Sequence, residues 1–260
     1  MTSRVVTIGV FVLPLALALA ACDGAFELAG RATDDWTRSY PLADGGQLQI
    51  SNTNGIVEIE GITGSTVDVR AERVAHATTD SAARDLLSRI VIKEDVTPAR
   101  ISLDSERVGT FLSGVGYEVH YHVRVPKNAV VRATTTNGRI LLHALSGTTA
   151  AATTNGGISG DGLAGGITAN STNGRVELAL AALGAGEVDL RTTNGQVSLT
   201  LPVDARADLD ASVTNGDISV IGLKFQPTDQ SRRHVSGRIN GGGTPITAST
   251  TNGAIRIGVQ

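Results

Sequence analysis

The sequence predicts an all-β protein, a single β-solenoid or parallel β-helix-like stack of coils, with one short helix in an N-terminal capping segment. Three observations carry this. The triplet Thr-Asn-Gly occurs seven times, with Asn at 54, 137, 155, 173, 194, 215 and 252. Chance placement of 29 Thr, 11 Asn and 31 Gly in 260 residues gives about 0.15 copies, so the repeat is real. From Asn137 the spacings are 18, 18, 21, 21 and 37 residues. The last gap holds Val235-Ser236-Gly237-Arg238-Ile239, which reads as a degenerate copy with Ser236 in the Asn slot and keeps the period at about 19 residues. The flanks, finally, alternate apolar and polar with period two, the mark of strands with one buried face.

The inward positions are consistent from copy to copy. Two and four residues after each Gly stand Val57/Ile59, Ile140/Leu142, Ile158/Gly160, Val176/Leu178, Val197/Leu199, Ile218/Val220 and Ile255/Ile257. Four residues before each Asn stand Ile50, Ala133, Ala151, Ala169, Leu190, Ala211 and Ala248. Each repeat is thus a strand, a Thr-Asn-Gly corner, a second strand and a looser turn. Asn and Gly tolerate positive φ, which suits them to the corner. A hairpin meander also uses Asn-Gly turns, but it has no reason to repeat one triplet. Stacked coils do, because identical side chains then form ladders in register.

The first residues give an address. Arg4 is the only charge before Asp23, and Val5 to Ala21 form an apolar stretch too short to be a convincing membrane-spanning helix. It ends in Leu19-Ala20-Ala21-Cys22, which resembles the lipobox of bacterial lipoproteins. The resemblance implies a signal peptide over 1–21, cleavage before Cys22 and lipidation of Cys22, the only cysteine. Several acyl chains hold a protein on a bilayer almost permanently. The expected location is therefore the bacterial cell envelope, lipid-anchored outside the cytoplasm. Asp23 resembles an inner-membrane retention signal, which implies the periplasmic face of that membrane in a Gram-negative cell. Residues 22–39, charged and without periodic apolar pattern, read as a tether.

Residues 40–130 form an N-terminal β segment ahead of the array at 131–260. Val67 and Val69 alternate as a strand. Asp80 is placed to cap a short helix from Ser81 to about Arg89, with Ala82, Leu86, Leu87 and Ile90 on one face. Ile90–Ile92, Ala99–Leu103 and Tyr117–Val125 read as strands. This segment is expected to cap one end of the stack, as repeat arrays require. The order "LQISNTNGIVEIEG", helix, "YEVHYHVRVPKN" and a run of "TTNG" repeats resembles the DUF4097 family of β-strand-repeat proteins, also labelled "putative adhesin". Over about residues 40–260 the resemblance implies a solenoid-like fold and an envelope setting, and it brings no catalytic residues.

Composition narrows the function further. With 22 Lys+Arg against 25 Asp+Glu the net charge is −3, which leaves no basic footprint for nucleic acid. One Cys excludes an internal disulfide and any multi-Cys metal site. Nucleotide-binding and hydrolase motifs are absent. His120 and His122 share a strand face with Glu118 and Arg124, and read as a solvated face opposite buried Val119, Tyr121, Val123 and Val125. His76, His143 and His234 have no assignable partners. Asp204, Asp208 and Asp210 cluster in sequence, but a glycosidase needs two carboxylates on one groove, so Asp208 and Asp210 carry only an alternative reading as a carbohydrate-active β-helix enzyme. "GGISGDG" at 156–162 faintly resembles a calcium-binding repeat, and Arg232-Arg233-His234 reads as a solvated loop. The expectation is a non-enzymatic protein without cofactor or metal. Its adhesin-like binding or scaffolding surface uses Arg139, Arg175, Glu177, Gln196, Asp217 and Arg256. Its partners are the membrane, through the lipid, and an envelope protein or polysaccharide. A role as accessory to an envelope-stress system is a further alternative, suggested only by the family's setting.

Overall fold

A computed structural model describes residues 29–109 and 115–259. The proposed signal peptide, Cys22 and Asp23 lie outside the described residues. The chain begins with β1 (Gly30–Pro41), β2 (Gln47–Asn54), β3 (Val57–Ile62), β4 (Thr66–Ala77), α1 (Asp80–Leu87), β5 (Ile90–Thr97), β6 (Arg100–Arg107) and β7 (Gly116–Pro126). Four repeats follow: β8 (Val130–Asn137) with β9 (Ile140–His143), β10 (Thr149–Asn155) with β11 (Ile158–Leu163), β12 (Ile167–Asn173) with β13 (Val176–Leu180), and β14 (Val188–Asn194) with β15 (Val197–Leu201). The last part is β16 (Ala207–Asn215), β17 (Ile218–Val220), β18 (Phe225–Gln230), β19 (His234–Ile239), β20 (Thr244–Asn252) and β21 (Ile255–Val259).

Every triplet joins a strand of one sheet to a strand of the other. The seven strands before the triplets lie in an 11-stranded entry sheet, with β5, β6, β18 and β19, and the seven after them in a 10-stranded exit sheet, with β1, β4 and β7. Within each sheet the repeats pair in parallel with corners aligned: Asn155 faces both Asn137 and Asn173, and Asn173 faces Asn194. The alternation read from the sequence sets the core between the sheets. Val131, Ala133, Ile140, Leu142, Val188, Leu190, Val197 and Leu199 are all buried. Ile218 and Val220 are only half-buried because β17 pairs with β21 alone.

The stacking order departs from the chain order at both ends. Along the entry sheet the neighbours run β14, β20, β16, β19, β18, and along the exit sheet β15, β21, β17. The last repeat, β20–β21, is therefore inserted between two earlier ones. At the other end β2–β3 lies between β6–β7 and β8–β9, so the division at residue 130 follows the chain and not the packing. The supposed degenerate copy is no repeat. Ser236 lies opposite Asp210 in an antiparallel pair of β16 with β19, and β18–β19 is a hairpin that covers the entry sheet only.

The tether reading fails over 30–39. These residues belong to β1, which pairs antiparallel with β4 from Gly30↔Ala77 to Pro41↔Thr66. The charges that suggested a solvated linker have cross-strand partners some 35 to 40 residues away: Asp35 with Arg70 at 3.1 Å and Asp34 with Arg73 at 2.5 Å. A charged edge strand of this kind discourages further pairing. The helix is present, but Thr79 caps it, its side chain accepting from the Ala82 N–H at 3.2 Å. Asp80 instead opens the first turn, and its buried residues are Ala83 and Leu86. At this end Tyr40 Oη donates to Glu94 Oε2 at 2.5 Å, tying the end of β1 to β5 on the other sheet. Burial raises the Tyr40 hydroxyl well above its ordinary pKa.

Candidate functional site

The seven corner asparagines form one hydrogen-bonded file. Asn137 Nδ2 donates to Asn54 Oδ1 at 2.8 Å, Asn155 to Asn137 at 2.8 Å and Asn173 to Asn155 at 2.9 Å. The file continues from Asn194 to Asn173 at 2.9 Å, from Asn252 to Asn194 at 2.8 Å and from Asn215 to Asn252 at 2.9 Å. It ends where Asn54 Nδ2 donates to the Tyr117 carbonyl at 3.1 Å. All side-chain amides point the same way, an arrangement in which hydrogen bonds polarise one another. The backbone runs opposite: Gly156 N–H donates forward to the Asn173 carbonyl, and Gly174 N–H to that of Asn194, both at 3.0 Å.

A second file was not anticipated from the sequence. Two residues before each Asn, at an inward position, stand Asn52, Thr135, Thr153, Ser171, Thr192, Val213 and Thr250. Thr153 Oγ1 donates to the Gly138 carbonyl at 3.0 Å, Ser171 to Gly156 at 2.8 Å, Thr192 to Gly174 at 2.8 Å and Thr250 to Gly195 at 3.0 Å. These hydroxyls close the corner from inside, where an unmet polar group would be costly. The signal was present as hydroxyl residues at a position whose parity faces the core.

The expectation of positive φ holds for the corner glycines Gly55, Gly156, Gly216 and Gly253 but not for Gly138, Gly174 and Gly195, which are glycine for another reason. No triplet Asn is among the described residues with positive φ; the only non-glycine residues there are Ala144 and Asn240. A Cβ on Gly138 would lie 1.9 Å from the Gly55 carbonyl oxygen, on Gly174 1.9 Å from that of Gly156 and on Gly195 2.1 Å from that of Gly174. Close stacking of backbone on backbone selects glycine.

Outside this frame the two sheets present different faces. On the entry sheet, Thr154, Asn170, Thr172, Thr193, Ser249 and Thr251 line a shallow groove of about 610 Å³ that crosses β8, β10, β12, β14 and β20. On the exit sheet, Arg70, His122, Arg124, Glu58, Glu60 and Asp68 surround a depression of about 330 Å³. The expected contact residues do not gather in one place. Arg256 Nη1 donates to Gln196 Oε1 at 2.6 Å, Asp217 pairs with Arg232 at 3.2 Å, and Arg139, Arg175 and Glu177 are exposed along the corner and the exit sheet.

The chemical candidates resolve into surface pairs. Val119, Tyr121, Val123 and Val125 are buried, as the alternation required. On the opposite face His120 Nε2 meets Glu118 at 3.0 Å while its Nδ1 accepts from the Ile56 N–H at 3.1 Å, and His122 meets Glu58 at 2.9 Å. His143 and His234 do have partners, Asp161 at 2.5 Å for the first and Asp229 at 3.0 Å and Asp210 at 3.4 Å for the second. These carboxylates raise the His234 pKa, the Asp229 hydrogen bond most of all. Asp208 receives the Gly243 N–H at 3.2 Å and lies 3.8 Å from Arg238. Asp208 and Asp210 lie on one exposed face of β16, and each is paired with a basic side chain of β19, Asp208 with Arg238 and Asp210 with His234. Asp161 of the 156–162 segment faces His143, and among the described residues no three His, Cys, Asp or Glu side chains are grouped to hold a metal ion.

A family model described as Toastrack DUF4097 matches residues 119–258, more than half of the chain. The chain belongs to the DUF4097 family. The match starts in β7, so β2–β3, which carries the first corner of the DUF4097 stack, lies before it. No curated protein matches. Among solved structures, a "putative cell adhesion protein" from Clostridium sporogenes is similar at 11% identity, with a TM-score of 0.51, covering 88% of this chain and 100% of its own. A "putative adhesin" from Bacteroides fragilis is similar at 11% identity and a TM-score of 0.29, covering 87% of this chain and 97% of its own. At such identities the likeness concerns the fold of a DUF4097 protein and not its ligand.

Proposed function

We propose that this DUF4097 protein is a lipid-anchored, non-enzymatic component of the bacterial cell envelope, a short β-solenoid that holds an adhesin-like binding or scaffolding surface at the membrane. The observation that carries this reading is the continuous file of seven corner asparagines. It makes one rigid stack whose outward rows repeat at the strand spacing of about 4.8 Å. The surface histidines are held in ion pairs with neighbouring carboxylates, His122 with Glu58, His143 with Asp161 and His234 with Asp210 and Asp229, which favours a structural over a chemical role for them. The lipobox-like Leu19-Ala20-Ala21-Cys22 supports the anchor. Because β1 starts at Gly30, the reach from Cys22 is at most about 28 Å of extended chain, so the anchored stack stands close to the bilayer. The adhesion-related descriptions of the fold neighbours agree with a binding role.

The test is metabolic labelling with a fatty acid followed by cell fractionation. The wild-type chain is expected to carry label and sediment with membranes, and Cys22→Ser to lose the label and move to the soluble extracytoplasmic fraction. An unlabelled wild type, or a Cys22→Ser chain that stays membrane-bound, would overturn the anchor.

A further inference from the structure

We propose that the outward face of the entry sheet binds an uncharged, extended polysaccharide laid across the strands, along the stack. This names the ligand class for the binding role proposed above and rests on it. Two hydroxyl rows alternate along the strands of this sheet. Thr153, Ser171, Thr192 and Thr250 point inward and donate to glycine carbonyls of the neighbouring repeat. Their sequence neighbours Thr154, Thr172, Thr193 and Thr251 point outward, are exposed and line the groove. These four inner hydroxyls are used in closing the corners, and the outer row offers its hydroxyls to a ligand. Asn170 and Ser249 add an amide and a further hydroxyl to the same groove.

Spacing and charge select the ligand. Corresponding hydroxyls recur every strand, about 4.8 Å, so two repeats advance about 9.6 Å, a step of the same order as the disaccharide unit of an extended glycan. Each threonine presents a hydroxyl and a methyl, matching the hydroxyl edges and C–H faces of sugar rings. Among the groove's lining residues Arg191 is the one charge, and Asp189 holds its Nε at 2.8 Å. The groove is therefore close to neutral, in contrast to the exit sheet with its arginines, histidines and carboxylates. An anionic polymer finds no field to attract it there. Projecting Asn170 and Arg191 side chains break the planarity that an ice surface would need. Without aromatic platforms each contact is weak, and retention comes from many repeats held along one rigid face.

The experiment is co-sedimentation of the full-length protein, in mild detergent, with microcrystalline cellulose, with chitin and with a polygalacturonate gel. Retention on cellulose or chitin is expected, insensitive to added salt. Thr172→Glu with Thr193→Glu should lower it at least about tenfold (about 1.4 kcal/mol), and the isosteric pair Thr172→Val with Thr193→Val should lower it without adding charge. Ser198→Glu, on the exit sheet, should leave it unchanged, and melting curves confirm that the variants fold. The inference is overturned if the threonine variants are retained like wild type. It is equally overturned if only polygalacturonate is retained, and then lost in salt, or if the protein shapes ice growth while no glycan is retained. Loss of glycan binding with fatty-acid labelling intact would remove this inference alone.

Discussion

Gly174 and Gly157 belong to adjoining corners and carry opposite constraints. A Cβ on Gly174 would sit 1.9 Å from the Gly156 carbonyl oxygen, but on Gly157 the nearest atom would be the Arg175 oxygen at 3.1 Å. Gly174→Ala must push two stacked backbones apart and is expected to cost about 3 kcal/mol or more, as severe overpacking does. Gly157→Ala should cost less than about 1 kcal/mol. Thermal melts followed by circular dichroism check this: similar midpoints for the two variants would mean that the corners are not in backbone contact. The sequence made the triplet visible through its recurrence but not its cause. Positive φ is a local explanation, available from Asn-Gly alone, whereas the carbonyl that excludes a Cβ comes from a repeat 18 residues away. Thr153 and its equivalents escaped notice for the same reason, since their acceptors belong to another repeat.

Among the elements, the hairpin β18–β19 is where periodicity misled. Val235-Ser236-Gly237 has the alternation and the glycine of a repeat, yet Gly237 is small for a different reason. A Cβ there would meet the Gln226 carbonyl at 2.3 Å and the Phe225 ring at 2.8 Å, both in the partner arm of the hairpin. The strands predicted at 90–92, 99–103 and 117–125 were legible because each buries one face whichever neighbour it has. Direction of pairing was not, since alternation is the same for parallel and antiparallel neighbours. His234 provides a test of the hairpin's docking, because Asp229 of β18 and Asp210 of β16 both approach it and raise its pKa above the ordinary value near 6.5. A raised folded pKa gives stabilisation that is complete below the unfolded value and is lost as pH rises through the folded one. The hairpin should therefore loosen on going from about pH 6 to pH 8. Imidazole titration by NMR is expected to place His234 above its ordinary value and Asp229→Asn to bring it down. A value at or below the ordinary one would mean that these carboxylates are not beside it in solution.

For the whole molecule, the seven triplets and the alignment of their corners could be read from the sequence, but the order of the repeats in space could not. Seven equivalent triplets allow any repeat to stack on any other, and the chain uses that freedom to slide β20–β21 between β14–β15 and β16–β17. One residue marks the result: Val213 stands in the outermost corner, where the inner repeats β10, β12, β14 and β20 have a hydroxyl that donates to the neighbouring glycine carbonyl. In an ordinary repeat array, stability is a sum of neighbour interfaces and loss of the last repeat removes one of them. Here the last repeat touches two, so removing residues 244–260 should also free β16, β18 and β19, which reach the rest of the entry sheet only through β20, and β17, which reaches the rest of the exit sheet only through β21. Limited proteolysis read by mass spectrometry should then show cleavage throughout 207–239 in the truncated chain while 116–201 stays protected, and the full-length chain should resist in both regions. Protection of 207–239 after truncation would mean that β16 can pair directly with β14, so that the inserted order is one arrangement of the ladder and not a requirement of its stability.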